Sequence, residues 1–120
     1  MLLNLHKLHH QYMMKVKGVN FWPSAVDEVV FRNKEIPEYR GEVSVTEDGR
    51  EEIMVEVEFR EASADLDKES IMTGIAEELR GKIGIGFRVS EWVGAPLSTI
   101  VYQVKTAKTR RWTDRRLETR

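Results

Sequence analysis

From Glu42 to Phe59 apolar residues return at every second position on both sides of Asp48-Gly49. Val43 and Val45 alternate with Glu42, Ser44 and Thr46, then Ile53, Val55, Val57 and Phe59 alternate with Met54, Glu56, Glu58 and Arg60. A period of two puts one set on one side of a pleated ribbon, and Asp-Gly is a turn pair that reverses such a ribbon. This stretch is therefore an antiparallel hairpin with a dry face and a wet face. A lone hairpin is marginal in water. Its dry face must be covered by the rest of the chain, and that need organises the segments on either side.

Two segments have the spacing to cover it. Pro23 and Ser24 are helix-start signals, Ser24 with Asp27 has the spacing of a capping box, and Val26, Val29 and Val30 make one apolar face before Asn33, with Pro37 forbidding continuation. After a small, polar run from Ala62 to Lys68, Ile71, Ile75 and Leu79, with Met72 and Ala76 beside them, mark a second helix that Gly81 and Gly84 end. Ahead of the first helix, Met13 to Trp22 gathers Val, Met and aromatics around Gly18, which predicts two short extended pieces joined by a glycine bend. Gly86 to Val93 predicts a last strand with Phe87 and Val89 inward, and Ile100, Tyr102 and Val104 alternate as in an extra edge strand whose partner the spacing does not assign. The order strand, helix, strand, strand, helix, strand predicts an α+β fold: a ferredoxin-like split βαβ sandwich, with an antiparallel sheet and two helices on one face.

A chain of 120 residues, 41% hydrophobic, supports one domain with a modest core. It has no cysteine, which excludes disulfides, a thiolate nucleophile and cysteine-bound zinc, and fits a reducing cytoplasm. The opening MLLNLHKLHH breaks its leucines with His and Lys, so it reads neither as a signal peptide nor as a membrane span. Net charge is -1, but the distribution is uneven. Glu42 to Arg80 carries thirteen acidic and four basic residues, whereas Lys105 to Arg120 carries seven basic and two acidic, a positive tail on an acidic body.

Two separated strings carry chemistry. One is MMKVKGVNFWPSAVDEV, Met13 to Val29, in which Lys15, Lys17, Gly18, Val19 and Asn20 form a glycine turn with neighbouring lysines. The other is KTRRWTDRR, Lys108 to Arg116, a lysine followed by Arg111, Asp114 and Arg116. Together they resemble the C-terminal domain of the phenylacetate-CoA ligase family, within the acyl-adenylate-forming ligases. The resemblance covers about Met13 to Arg116, with 1–12 as a lead or hinge remnant and 117–120 as a tail. It implies a lid that serves a two-step reaction: a carboxylic acid and ATP with Mg²⁺ give an acyl-adenylate, and coenzyme A then displaces AMP. Lys108, preferred over Lys105, is the implied catalytic lysine, supported by Arg111, Asp114 and Arg116. An ammonium there bridges the substrate carboxylate and the α-phosphate and offsets the charge that builds up between them. The turn from Lys15 to Asn20 is implied to border the coenzyme A channel. The family's hinge acid is absent, its place taken around Gln11 and Tyr12, and the stretch from Gly94 to Lys108 is longer than the family's.

No glycine-rich phosphate loop is present, so the lid needs a large N-terminal adenylating domain, in cis or in trans, and is inactive alone. ATP, Mg²⁺ and coenzyme A belong to the complete enzyme. The alternative from another class is a free-standing ferredoxin-like module that binds a small ligand or a protein and catalyses nothing. His6, His9 and His10 have a helical metal spacing, but no carboxylate stands near to complete a site, so no metal is assigned. Trp112 among arginines has two readings: stacking a nucleobase, or packing the tail onto the domain. Such a Trp more often packs the tail onto the domain, and the balanced net charge gives no reason to expect a polyanionic partner, so nucleic acid stays a third option that rests on the basic tail and Trp112. An exposed former interface would allow a homo-oligomer.

Overall fold

A computed structural model describes residues 13–61, 66–103, 108–109 and 111–116. The elements follow from the hairpin outward. β3 (Glu38–Val45) and β4 (Glu51–Glu58) pair antiparallel in the register Tyr39 to Val57, Gly41 to Val55 and Val43 to Ile53. Those six residues are buried, whereas Arg40, Glu42, Met54 and Glu56 on the opposite side are only partly covered.

Two helices cover the dry face. α1 (Pro23–Val30) buries Val26, Val29 and Val30, and α2 (Lys68–Ile83) buries Met72, Ile75 and Leu79, all in one cluster with the inward residues of β3 and β4. Burying such a side chain stabilises by roughly 1.5–3 kcal/mol before entropy is charged against it. Lys82 to Glu28 at 2.8 Å, together with the Arg32–Glu78 pair, stitches the wet sides of the two helices.

The helix ends depart from the capping box expected at Ser24 and Asp27. Trp22 is the N-cap, in extended backbone and without a side-chain cap, and Pro23 starts the helix. Proline is preset for that first position, where its missing N–H costs nothing. Asp27 is unavailable because the Tyr39 hydroxyl donates to its carboxylate. α2 is capped by Asp67, which accepts from Ser70 N at 3.1 Å, so Lys68 opens the helix rather than closing the loop. Of the two glycines expected to end it, Gly81 lies inside the helix. Gly84 makes the end, at φ 100°, with its N–H on Arg80 O at 2.8 Å.

The architecture is the α+β split βαβ sandwich that the element order predicts, but the sheet is mixed where an antiparallel one is expected, because only the β3–β4 pair is joined by a tight turn and the edge strands return over longer connections. β5 (Arg88–Glu91) runs parallel to β4, and β8 (Trp112–Asp114) runs parallel to β3, giving the order β5-β4-β3-β8 with the antiparallel hairpin at the centre. The opening strands pair with each other: β1 (Met14–Val16) and β2 (Val19–Phe21) form a hairpin that sends Val16 and Phe21 into the core. Phe21 meets the inward Phe87 edge-on, ring centres 5.9 Å apart.

The extra edge strand expected over Ser98 to Val104 begins instead as a helical turn, α3 (Ser98–Val101). Thr99 bonds Pro96 O through its N–H and its hydroxyl, and Val101 N–H donates to Leu97 O. Leu97 and Val101, four apart and so on one side of that turn, are fully buried, whereas Ile100 is exposed. Burial of that pair outweighs the alternating pattern. β6 (Tyr102–Gln103) follows and pairs antiparallel with β7 (Lys108–Thr109); Val104 lies outside the described residues.

Candidate functional site at the Gly18 turn and the C-terminal strand

The glycine bend is a two-residue hairpin turn. Val16 pairs with Val19, and Lys17 (φ 52°) and Gly18 (φ 80°) both take left-handed backbone. That is the turn whose twist matches an antiparallel pair, and it costs nothing at glycine but is uncommon at a residue with a Cβ. Lys17 holds it with help from outside the hairpin: its N–H donates to Glu51 Oε1 at 2.6 Å.

Glu51 is where the two ends of the chain meet. Its other carboxylate oxygen accepts from Arg116 Nη1 at 2.8 Å, and the same Nη1 donates to Lys15 O at 2.6 Å. Arg116 also grips Asp114 with two parallel bonds, Nε to Oδ1 at 2.9 Å and Nη2 to Oδ2 at 2.7 Å. Such bidentate pairs fix orientation as well as charge. The Lys17 N–H first, then Arg116, hold the Glu51 carboxyl below its ordinary range, and Arg116 does the same for Asp114. A shallow cleft of about 300 Å³ opens beside them, lined by Lys17, Arg50, Glu51 and Glu52.

The other end of β8 is anchored by Arg111. Its guanidinium takes both oxygens of Glu38 at 2.5 and 3.1 Å and comes within 4.0 Å of Asp27. It also stacks over Phe31 at 4.9 Å and Tyr39 at 5.7 Å. Glu38 is only 3% exposed, so this is a buried charge whose partner is required. Burial first, then the Asp27 carboxylate, push the Tyr39 phenol well above its ordinary value, so it stays a donor to Asp27. Trp112 meets Tyr39 edge-on at 6.2 Å and packs against the core, so its indole fastens the tail to the domain.

The supporting residues expected from sequence therefore divide. Asp114 and Arg116 face the Gly18 turn, while Arg111 faces the core. Val19 and Asn20 lie on β2, where Asn20 pairs with Lys15. Lys108 lies on β7, paired with Gln103; its side chain, together with Lys105, Gln11, Tyr12 and the three histidines, falls outside the described residues. Among the described residues there is no cluster of His, Asp and Glu suited to a metal, and no helix long and apolar enough to cross a membrane. Sequence reasoning missed Glu51 and Glu38. Neither has a local signal, since their partners stand 65 and 73 positions away.

The model of the AMP-binding enzyme C-terminal domain family matches residues 18–116. No curated protein matches. Among solved structures, a domain of phenylacetate-coenzyme A ligase from Bacteroides vulgatus superposes with a TM-score of 0.70 at 24% identity, over 87% of this chain and 92% of that one. A 2-hydroxyisobutyryl-CoA ligase, in complex with 2-HIB-AMP and CoA in the thioesterification state, gives 0.64 at 20% identity, over 85% of this chain. A chain from a structural study of fatty acyl-adenylate ligases from E. coli and L. pneumophila gives 0.58 at 14% identity, over 82% of this chain and 17% of that one. This chain spans about a fifth of the length of the hydroxyisobutyryl-CoA ligase, covering 21% of that protein.

Proposed function

Because the chain belongs to the AMP-binding enzyme C-terminal domain family, we propose that it is the lid of an acyl-CoA ligase of the phenylacetate-CoA ligase kind and works only with a large adenylating domain. Lys108 is the residue assigned to the first half-reaction, where carboxylate oxygen attacks the α-phosphate of ATP: its ammonium offsets the negative charge shared by the two groups. The turn from Lys15 to Asn20 is assigned to the second, in which coenzyme A sulfur displaces AMP from the acyl-adenylate. ATP, Mg²⁺ and coenzyme A enter with the large domain, and this chain contributes the two presenting segments. Rotation of the lid would exchange them.

One observation carries this reading. The glycine turn is fastened through Glu51 and Arg116 to the end of β8, the close of the same C-terminal string that begins with Lys108 on β7, which supports one lid carrying both segments. The test is reconstitution. The chain is mixed with a phenylacetate-CoA ligase lacking its own C-terminal domain, and thioester is followed with ATP, Mg²⁺, phenylacetate and coenzyme A. Thioester above the level of the truncated enzyme supports the lid; none, with tight binding of the two proteins, points instead to a regulatory module.

A further inference from the structure

The Glu51–Arg116 pair occupies the edge of β1 in a particular way. Arg116 Nη1 donates to the carbonyl of Lys15, and Glu51 Oε1 accepts from the N–H of Lys17. These two groups flank Val16, which is fully buried. They are the groups that one residue of a parallel neighbouring strand would engage opposite Val16, donating to the carbonyl before it and accepting from the N–H after it. Among the described residues β1 has only β2 beside it, so an ion pair of two side chains stands where a strand would. The pair is further tied to Asp114 by the bidentate grip of Arg116.

We infer that Glu51 is a positioning residue for the thioester half-reaction: with Arg116 it clamps the Lys17–Gly18 turn to the end of β8, so that turn and C-terminal strand move as one piece. The inference rests on the ligase reading above for its catalytic consequence, and on the geometry alone for the clamp. Nothing in Glu51 itself touches a reacting atom. Its effect is to fix the peptide plane entering a left-handed lysine, which sets where Gly18 and the two lysines before it, Lys15 and Lys17, are offered.

The full chain, wild type and Glu51→Gln, tests both halves. Removing a charge-assisted hydrogen bond predicts exchange of the Lys17 amide about tenfold faster, while Val55 in β4 stays protected. With the truncated ligase in trans, thioester formation from preformed phenylacetyl-adenylate should fall about tenfold further than pyrophosphate exchange does, the same loss of held geometry read kinetically. Arg116→Gln should give the same pattern, and the double variant little more, since both break one clamp. An unaltered Lys17 exchange rate overturns the clamp. Faster exchange with equal loss in both half-reactions, or none, overturns the positioning role and leaves the ligase reading standing. If the wild-type mixture makes no thioester, the ligase reading falls and takes the catalytic role with it, while the exchange data still decide the clamp.

Discussion

The indole of Trp112 lies over Gly41, its parallel partner, so closely that a Cβ on Gly41 would stand within about 2.5 Å of three ring carbons. Glycine is needed there for space and not for backbone angle, because Gly41 sits mid-strand between the buried Tyr39 and Val43. The contact is what lets β8 lie flat against β3.

Gly41→Ala should therefore lower stability by about 1–3 kcal/mol, the usual cost of overpacking a filled site. Urea unfolding measures it. In the Trp112→Ala background the same change should cost much less, since the ring it strikes is gone; equal costs in both backgrounds would refute the contact.

Arg111→Met should cost about 3 kcal/mol or more, because Glu38 is left charged and buried without its partner. Adding Glu38→Gln to that variant should recover part of the loss. A double-mutant cycle by urea unfolding reads the coupling, and additive losses would mean that the pair contributes no interaction of its own.

Acid should loosen the Gly18 corner. Glu51 and Asp114 are both held below their ordinary values, so the folded state binds protons less readily than the unfolded one. Their contribution is fully present above the unfolded values of about 4 and is lost as pH falls through the lower, folded values. These carboxylates are partly exposed, so each contributes only roughly 0.5 kcal/mol after solvent screening. The expected sign is a Lys17 amide resonance that is flat from pH 7 to about 5 and moves below about 4, following its acceptor. In Glu51→Gln that movement should disappear.

Lys108→Ala, in the reconstituted ligase, should reduce pyrophosphate exchange about a hundredfold or more while thioester formation from preformed adenylate falls little, as expected for a charge used in one transition state only. Equal loss in both steps would remove Lys108 from the role assigned to it.

Gly18→Leu should cost roughly 1 kcal/mol through its left-handed backbone rather than through crowding at the Cβ, because nothing lies within 4 Å of where that atom would stand. Its larger effect should fall on the thioester step. If only the melting temperature changes, the turn is a structural one.

The central hairpin, both helices and the glycine bend were legible in the sequence because each rests on near neighbours: alternation around Asp48-Gly49, apolar spacing from Ile71 to Leu79, and a Gly18 that permits positive φ. The family was legible in the same way, from two contiguous strings. Tertiary structure alone decided which groups answer each other across the chain. It seated Trp112 on Gly41, took Asp27 away from its capping box to serve Tyr39, turned Ser98 to Val101 into a helix by burying Leu97 and Val101, and set Glu51 between Lys17 and Arg116. The reason is physical. Propensity and periodicity act over a few residues, whereas a buried charge or an unpaired strand edge is satisfied by whichever polar group the fold brings near, and that group can stand anywhere in the sequence.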